Sequence, residues 1–185
     1  DGRVWTVGAS GFGPDGGTPE FYRGLGLDAI PLSGPLAVAG AGTIGALAAL
    51  HAAGATRSLS ELWAPAATTA EHGLPCTAKT RADVLEHEAD VRADAGLAGV
   101  FLREERAPRV GEPIRYPELA RSIRVLAEDP DSLYRGELAE RAVATLVPGG
   151  APFTGDDWAA SGTALTWPAI EHGYGAATVH ETPLP

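Results

Sequence analysis

Two spacings of apolar residues divide the chain into a helical middle and strand-forming ends. Residues 4–7 are a short run of β-favouring side chains around Trp5, and residues 163–167 and 176–181 alternate between apolar and polar positions, as half-buried strands do. Between these ends the apolar residues recur every three or four positions, which predicts helices. The predicted helices cover residues 39–53, 58–71, 77–95, 118–127 and 131–146.

Local signals mark where several elements begin and end. Ser58 or Ser60 can cap the second helix, Glu61 lies in its first turn, and Gly73 stops it. Residues 154–158 (TGDDW) have the pattern of a capped helical turn.

Side-chain composition predicts how two of these helices are placed. The helix over residues 39–53 is rich in Ala and Gly, which suits close packing on all sides. The helix over residues 77–95 carries many charges, with Val84, Leu85 and Val91 as its apolar anchors, and is predicted to lie on the surface.

Glycine and proline predict where regular structure is absent. Residues 8–17 hold five Gly and one Pro, so we expect a turn-rich loop after the first strand and irregular chain to about residue 35. Prolines in residues 101–117 likewise predict a loop draped over the body. The pattern indicates an α+β segment of one domain: a strand and Gly-rich loop in residues 1–35, a helical body in 36–150, and a return to the sheet in 151–185.

Composition excludes several classes of protein. The chain of 185 residues has 14 Lys and Arg against 24 Asp and Glu, a net charge of −10 that opposes binding to a nucleic-acid backbone. No apolar run approaches the ~20 residues that cross a bilayer, so no membrane partner is expected. The chain has no Met and starts at Asp1, so we expect a processed or excerpted piece of a longer protein.

The residues of this chain supply no complete catalytic set. The five His lack metal-ligand spacing, and His87 with Glu86 and Glu88 would point in different directions on a helix, so neither a metal nor a cofactor is expected. Ser10 lacks the context of a nucleophile elbow and an identifiable base. Cys76, the single Cys, cannot form an internal disulfide and is predicted to be a packing residue. The loop over residues 8–17 could cradle an anion, but a structural turn is favoured because no Gly-Lys-Ser/Thr follows.

Short motifs in collinear order resemble the large subunit of the γ-glutamyltranspeptidase family, which belongs to the N-terminal-nucleophile hydrolases. The family's Gly-x-x-Ala-Val-Pro-Gly, Leu-Leu-x-Pro-Ala, Ala-Glu-x-Gly-Phe-Pro and Phe-Tyr-x-Gly-x-Leu-Ala segments all have counterparts. They are residues 34–40 (GPLAVAG), 62–66 (LWAPA), 70–75 (AEHGLP), 117–120 (PELA), 133–139 (LYRGELA), 154–158 (TGDDW), 174–175 (YG) and 183–185 (PLP). The likeness spans nearly the whole chain.

The resemblance implies a fold and a mechanism. The chain would be the helix-rich middle portion of the large subunit in a four-layer αββα hydrolase. A partner small subunit, released by autoproteolysis, would carry an N-terminal Thr nucleophile whose own α-amine is the base. No catalytic residue and no cofactor is then expected in this chain, and the other partner would be a small-molecule substrate.

One departure from the family pattern bears on the substrate. The γ-glutamyl enzymes carry Asp-x-Arg-Glu-x-Ala-Pro, whose Arg grips the substrate α-carboxylate. Aligned on Pro14, that Arg falls at Ser10 and its Glu at Gly11. We therefore expect Ser10, Gly11 and Phe12 to line an altered acyl pocket, Phe12 as an apolar lining residue or as a loop residue that only covers the strand.

These observations predict a hydrolase or acyltransferase acting on a substrate other than a γ-glutamyl amide. The alternatives are a C–C bond hydrolase of 4-alkylproline antibiotic biosynthesis, a cephalosporin-type acylase, or an inactive helical binding or assembly module. The compartment stays open, cytoplasmic for a pathway hydrolase and periplasmic or extracellular for a transpeptidase.

Overall fold

The computed structural model describes residue 2, residues 4–9 and residues 11–183. The chain forms two compact units. The first joins Asp1–Thr56 to Asp129–Pro185, and the second is Arg57–Glu128. The predicted division at residues 35 and 150 stays a prediction.

The described elements are helices and short strands, as the α+β prediction requires. In chain order the helices are α1 (Pro19–Gly24), α2 (Thr43–Gly54), α3 (Leu59–His72), α4 (Ala78–Glu86), α5 (Glu88–Ala93), α6 (Ala95–Phe101), α7 (Pro117–Glu128), α8 (Ser132–Arg135), α9 (Glu137–Leu146) and α10 (Gly155–Ala160). The strands are β1 (Trp5–Gly8), β2 (Leu74–Pro75), β3 (Pro113–Ile114), β4 (Leu165–Pro168), β5 (Ile170–Tyr174) and β6 (Ala177–Glu181). Single 3₁₀ turns lie at Pro35–Ala37 and Val147–Gly149.

The two ends of the chain meet in one strand pair of the first unit. Strands β1 and β4 are antiparallel, with Trp5 opposite Pro168 and Gly8 opposite Leu165. Both strands were predicted to within about two residues. Each of the two strands is therefore the other's partner in this sheet.

A β-hairpin follows directly after β4. Strands β5 and β6 pair antiparallel from Ile170 opposite Glu181 to Tyr174 opposite Ala177. The sequence predicted β6 only, and β5 was missed. All residues of both strands are exposed in the chain.

The core of the first unit forms where α8, α9 and α10 meet. Ala139, Ala151, Phe153 and Trp158 are buried together. The Phe153 and Trp158 rings pack edge to face with centroids 5.6 Å apart. The indole Nε1–H donates to the Leu133 carbonyl at 2.7 Å, so the polar end of this buried ring is satisfied.

Helices α3 and α7 pack against each other in the second unit. Of the two predicted caps, Ser58 or Ser60, the structure has Ser58. It forms a capping box, with the Ser58 side chain accepting from the Glu61 N–H and the Glu61 carboxylate accepting from the Ser58 N–H. Small side chains allow the close approach, since Ala67, Ala70 and Ala120 are all buried.

Two predicted helices are interrupted. The predicted helix over 77–95 is divided at His87 into α4 and α5. Helix α6 follows from the last residue of that predicted helix to the first residue of the predicted loop, over a stretch for which no element was predicted. The predicted helix over 131–146 is divided at Gly136 into α8 and α9. A Cβ at Gly136 would lie 3.0 Å from the Ser132 Cα, so the chain turns too tightly there for one straight helix.

Two further expectations are corrected. Residues predicted as irregular contain α1, whose N-terminus is capped by the Thr18 side chain. Helix α2 is not packed on all sides within the described chain: it has no buried residue, and Leu50 is 52% exposed. No helix among the described residues has the length and apolar character to cross a membrane.

Candidate functional site: the loop after the first strand

The predicted site residues lie on the loop that leaves β1. Ser10 lies outside the described residues. Gly11 and Phe12 are described, and the Phe12 side chain is 47% exposed. The loop closes in a turn in which the Gly17 N–H donates to the Pro14 carbonyl at 2.8 Å.

The loop packs against residues 40–42, which lead into α2, and the contact is between the two backbones. The Gly40 N–H donates to the Phe12 carbonyl at 2.9 Å. A Cβ at Gly11 would lie 2.4 Å from the Gly40 carbonyl oxygen, and a Cβ at Gly42 would lie 2.4 Å from the Ala9 carbonyl oxygen. Glycine is therefore required at these positions by close approach.

The opposite side of the same segment packs on the turn after α10. A Cβ at Gly40 would lie 1.7 Å from the Ser161 Oγ, and a Cβ at Gly45 would lie 2.2 Å from the Gly162 carbonyl oxygen. Ser161 is buried, and its hydroxyl donates to the Asp157 carbonyl at 3.1 Å. Residues 40–45 are thus held between the candidate loop and α10.

A distant tyrosine caps the start of α2. The cap residue Gly42 has no side chain to accept from the Gly45 N–H, a donor that lacks a partner inside the helix. The Tyr134 hydroxyl accepts from that N–H at 2.9 Å and donates to the Ala41 carbonyl at 2.7 Å. Burial raises the pKa of Tyr134, so the hydroxyl stays protonated and keeps its donor role.

A cleft of about 730 Å³ opens between the candidate loop and the start of α10. Loop residues and α10 residues both line it. They are Phe12, Gly13, Asp15, Gly16, Pro152, Thr154, Asp156, Asp157 and Ala160.

Asp157 holds the two sides of the cleft together. Its carboxylate accepts from the Asp15 N–H at 3.0 Å and from the Thr154 N–H at 2.8 Å. The Thr154 side chain accepts from the Asp157 N–H, which completes a capping box and confirms that this turn is capped, as predicted. The pKa of Asp157 is lowered by the hydrogen bond from the Thr154 hydroxyl and by the Asp15 N–H, so the carboxylate remains ionised.

The charges facing the cleft are all negative. The described residues that line it include Asp15, Asp156 and Asp157, and none of these lining residues is Lys or Arg. An anionic group in the cleft would meet repulsion rather than a bidentate clamp.

Other candidates for chemistry are not assembled into sites. The buried Cys76 sulfur faces the Pro108 carbonyl at 4.0 Å, consistent with a packing residue. His87 lies 3.9 Å from Asp90 on the exposed face of α5. Among the described residues no group of three or more His, Cys, Asp or Glu side chains could hold a metal ion.

Sequence reasoning found the loop but missed its supports. Gly40 and Tyr134 were noticed only as motif residues, and Asp157 only as part of a capping pattern. The ASG…AGAG spacing of small residues at 9–11 and 39–42 is a signal for close backbone approach, but no pattern links residues 45 and 134.

The chain belongs to the gamma-glutamyltranspeptidase family, because the sequence model of that family matches residues 1–185. Among curated relatives it is 35% identical over 161 residues to the oxamate amidohydrolase proenzyme of Klebsiella pneumoniae, covering 83% of this chain and 30% of the relative. It is 31% identical over 145 residues to the glutathione hydrolase-like YwrD proenzyme of Bacillus subtilis, covering 77% of this chain and 27% of the relative.

Solved structures show the same fold. The cephalosporin acylase from Bacillus halodurans matches 99% of this chain and 35% of its own with a TM-score of 0.89 at 29% identity. The gamma-glutamyltranspeptidase from Pseudomonas nitroreducens complexed with L-DON matches 100% of this chain and 55% of its own with a TM-score of 0.85 at 24% identity. The α+β prediction and the resemblance are confirmed. The chain spans about a third or less of the curated relatives' length.

Proposed function

We propose that this chain is a large-subunit segment of an amide hydrolase or acyltransferase whose acyl substrate is not a γ-glutamyl amide. Ser10, Gly11 and Phe12 form one wall of the acyl pocket in this proposal. The main support for the proposal is the cleft beside Phe12. Asp15, Asp156 and Asp157 line this cleft, and none of its described lining residues is Lys or Arg.

Electrostatics support a changed substrate. A γ-glutamyl group presents an α-carboxylate beside an α-ammonium. The acidic cleft is compatible with the ammonium but repels the carboxylate, for which the family position that would supply Arg is Ser10 here. The repulsion between two unit charges of the same sign at contact distance is about 1 kcal/mol in water. It is larger in a partly desolvated cleft. A neutral acyl group beside Phe12 avoids this repulsion.

The relatives support a substrate other than a γ-glutamyl amide, although oxamate, which is in the name of one of them, itself carries a carboxylate. The names of two of them, an oxamate amidohydrolase and a cephalosporin acylase, refer to substrates other than γ-glutamyl amides. The likeness to the cephalosporin acylase, with a TM-score of 0.89 at 29% identity, favours a cephalosporin-type acylase as the second candidate within this class.

The chemistry itself is assigned to a partner subunit. Its N-terminal Thr hydroxyl attacks the acyl carbonyl while the α-amine takes the hydroxyl proton. The amine product leaves with that proton, and water or an acceptor amine then resolves the acyl-enzyme ester. This chain contributes binding and orientation of the acyl group rather than a reacting atom.

The full-length protein tests the proposal. The first residue of the small subunit is identified by mass spectrometry. Amide hydrolysis is compared between a γ-glutamyl anilide, oxamate and a neutral acyl amide, and C–C bond hydrolysis is measured with a 4-alkylproline-type substrate. We expect an N-terminal Thr and preference for a substrate without the γ-glutamyl group. A small subunit that begins with a residue other than Thr, Ser or Cys would favour the inactive binding module.

Two variants test the pocket wall. Ser10→Arg restores the missing cation, and a charge-assisted contact of roughly 1.5–3 kcal/mol predicts at least a tenfold lower KM for the γ-glutamyl anilide. Asp156→Asn removes one negative charge and should lower the KM or inhibition constant of oxamate, whose only charge is a carboxylate, about fivefold, from about 1 kcal/mol of repulsion. Asp28→Asn, the same charge change away from the cleft, is the control. Rapid turnover of the anilide by the unmodified protein would overturn the assignment.

A further inference from the structure

The candidate loop is attached to the rest of its unit at two points, one on either side of Pro14. Before Pro14, the Phe12 carbonyl accepts from the Gly40 N–H at 2.9 Å. After it, the Asp15 N–H donates to the Asp157 Oδ1 at 3.0 Å. Pro14 itself is buried. The second attachment is a bond to a side chain rather than to backbone, so a single substitution removes it.

The two oxygens of the Asp157 carboxylate have different partners. Oδ2 accepts from the Thr154 N–H at 2.8 Å and from the Thr154 hydroxyl at 2.6 Å, which caps α10. Oδ1 accepts from the Asp15 N–H, which lies 142 positions away in the chain. Hydrogen bonds to an ionised carboxylate are about twice as strong as neutral ones. One side chain therefore caps α10 and holds the loop at the same time.

The capping box of α3 shows what capping alone requires. There the Glu61 Oε2 accepts from the N–H and from the hydroxyl of Ser58, both at 2.9 Å. These are the same two bonds that the Asp157 Oδ2 makes to Thr154. The other Glu61 oxygen lies 3.8 Å from the Nε of Arg57, a local contact within four residues. The bond from the loop to the Asp157 Oδ1 is thus additional to what the cap needs.

We infer that Asp157 is a positioning residue of the proposed acyl pocket, and that its carboxylate sets where the pocket wall stands relative to α10. The inference rests on the proposed function, in which residues 10–12 form that wall. Asp157 acts through the Asp15 N–H and the loop backbone, and the role requires no contact with the acyl group. The loop and α10 both line the cleft of about 730 Å³, so the bond between them limits the size of acyl group that fits.

The turn after Pro14 allows the loop bond to be removed without altering the cap. The Gly17 N–H donates to the Pro14 carbonyl, so Asp15 is the first central residue of this turn. Neither Asp15 nor Gly16 has a positive φ, which fits a type I turn, where proline is favoured at the first central position. Asp15→Pro therefore removes the N–H donor and suits the turn. Asp15→Ala removes the same carboxylate and keeps the donor.

Four variants of the full-length protein separate positioning from capping. Asp157→Ala removes both the cap and the loop bond, and Glu61→Ala removes the matching cap of α3 alone. Asp15→Pro removes the loop bond alone, with Asp15→Ala as its reference. Amide hydrogen exchange of residues 11–17 is measured in each variant. KM and kcat are measured with hexanoyl p-nitroanilide, γ-glutamyl p-nitroanilide and oxamate.

Loss of the loop bond should lower the population of the positioned loop roughly tenfold, and the apparent affinity falls with that population. We expect faster exchange over residues 11–17 and a roughly tenfold higher KM, with kcat changed less than twofold. Both effects should appear in Asp157→Ala relative to Glu61→Ala, and in Asp15→Pro relative to Asp15→Ala. A loss of global stability alone would not raise KM in this way.

An equal KM in Asp15→Pro and Asp15→Ala would overturn the inference and leave Asp157 as a cap alone, and so would an equal rise in Glu61→Ala and Asp157→Ala. Preference of the unmodified protein for the γ-glutamyl anilide would overturn the proposed function instead, and the KM comparison would then be made with that substrate. If none of the three substrates is turned over, the exchange comparison decides, and equal exchange within each pair overturns the inference.

Discussion

Removing the Tyr134 hydroxyl tests whether a long-range cap supports the candidate loop. In Tyr134→Phe the Gly45 N–H loses its acceptor and the Ala41 carbonyl loses its donor, while the ring is kept. Leaving such a donor without a partner costs about 1–3 kcal/mol. The opening equilibrium of the α2 N-terminus should then rise roughly 5- to 150-fold.

Amide hydrogen exchange of the full-length protein measures this effect directly. The Gly45 and Gly40 amides should exchange faster in Tyr134→Phe, because residues 40–45 carry both the cap and the bond to Phe12. Tyr22→Phe is the matched control, since the Tyr22 hydroxyl donates to the Leu36 carbonyl at 3.0 Å and does not touch α2. Unchanged exchange at Gly45, or equal acceleration in both variants, would refute the assignment of Tyr134 as the cap.

Two further predictions concern stability. Gly40→Ala should lower the midpoint of thermal unfolding, because its Cβ would lie 1.7 Å from the Ser161 Oγ and overpacking typically costs about 1–3 kcal/mol or more. Gly13→Ala is the control, since a Cβ at Gly13 would have open space around it. An equal loss of stability in both variants would contradict the reasoning. The hydrogen bond from Arg106 lowers the pKa of Glu112 from 4.5 to about 2, so its contribution to stability is complete above pH 4.5 and lost as pH falls toward 2. Glu112→Gln should therefore flatten the loss of stability between pH 5 and pH 2, measured by denaturant unfolding, and parallel pH profiles would count against it.

Elements with local signals were predictable from the sequence. Ser58 with Glu61 and Thr154 with Asp157 form their caps within three residues of chain, so their geometry is encoded locally. Helix α1 also had such a signal, Thr18 before Pro19, but the surrounding glycines outweighed it.

Other features depend on contacts that no local pattern shows. The predicted helix is interrupted at His87, where the chain has neither Gly nor Pro. Val84 is buried before the interruption and Val91 is buried after it. The hydrogen bond between the Gly45 N–H and the Tyr134 hydroxyl, which supports the candidate loop, joins residues that are 89 positions apart in the chain. The loop itself could be located because its glycines form a recognisable run, whereas its acidic cleft required the fold to bring Asp157 beside Asp15.

The pairing of β1 with β4 has a consequence for synthesis. Thr6 and Trp167, which share a hydrogen bond, are separated by 161 positions. At roughly 5–20 residues per second, the ribosome needs roughly 8–32 s to cover that distance. During this interval the first strand lacks its β4 partner, and until residue 134 is made α2 also lacks the Tyr134 cap. The contiguous unit Arg57–Glu128 is complete before either partner is made. An unpaired strand edge is a template for pairing with another chain, so the interval before β4 emerges is the one in which the N-terminal strand is most exposed to aggregation.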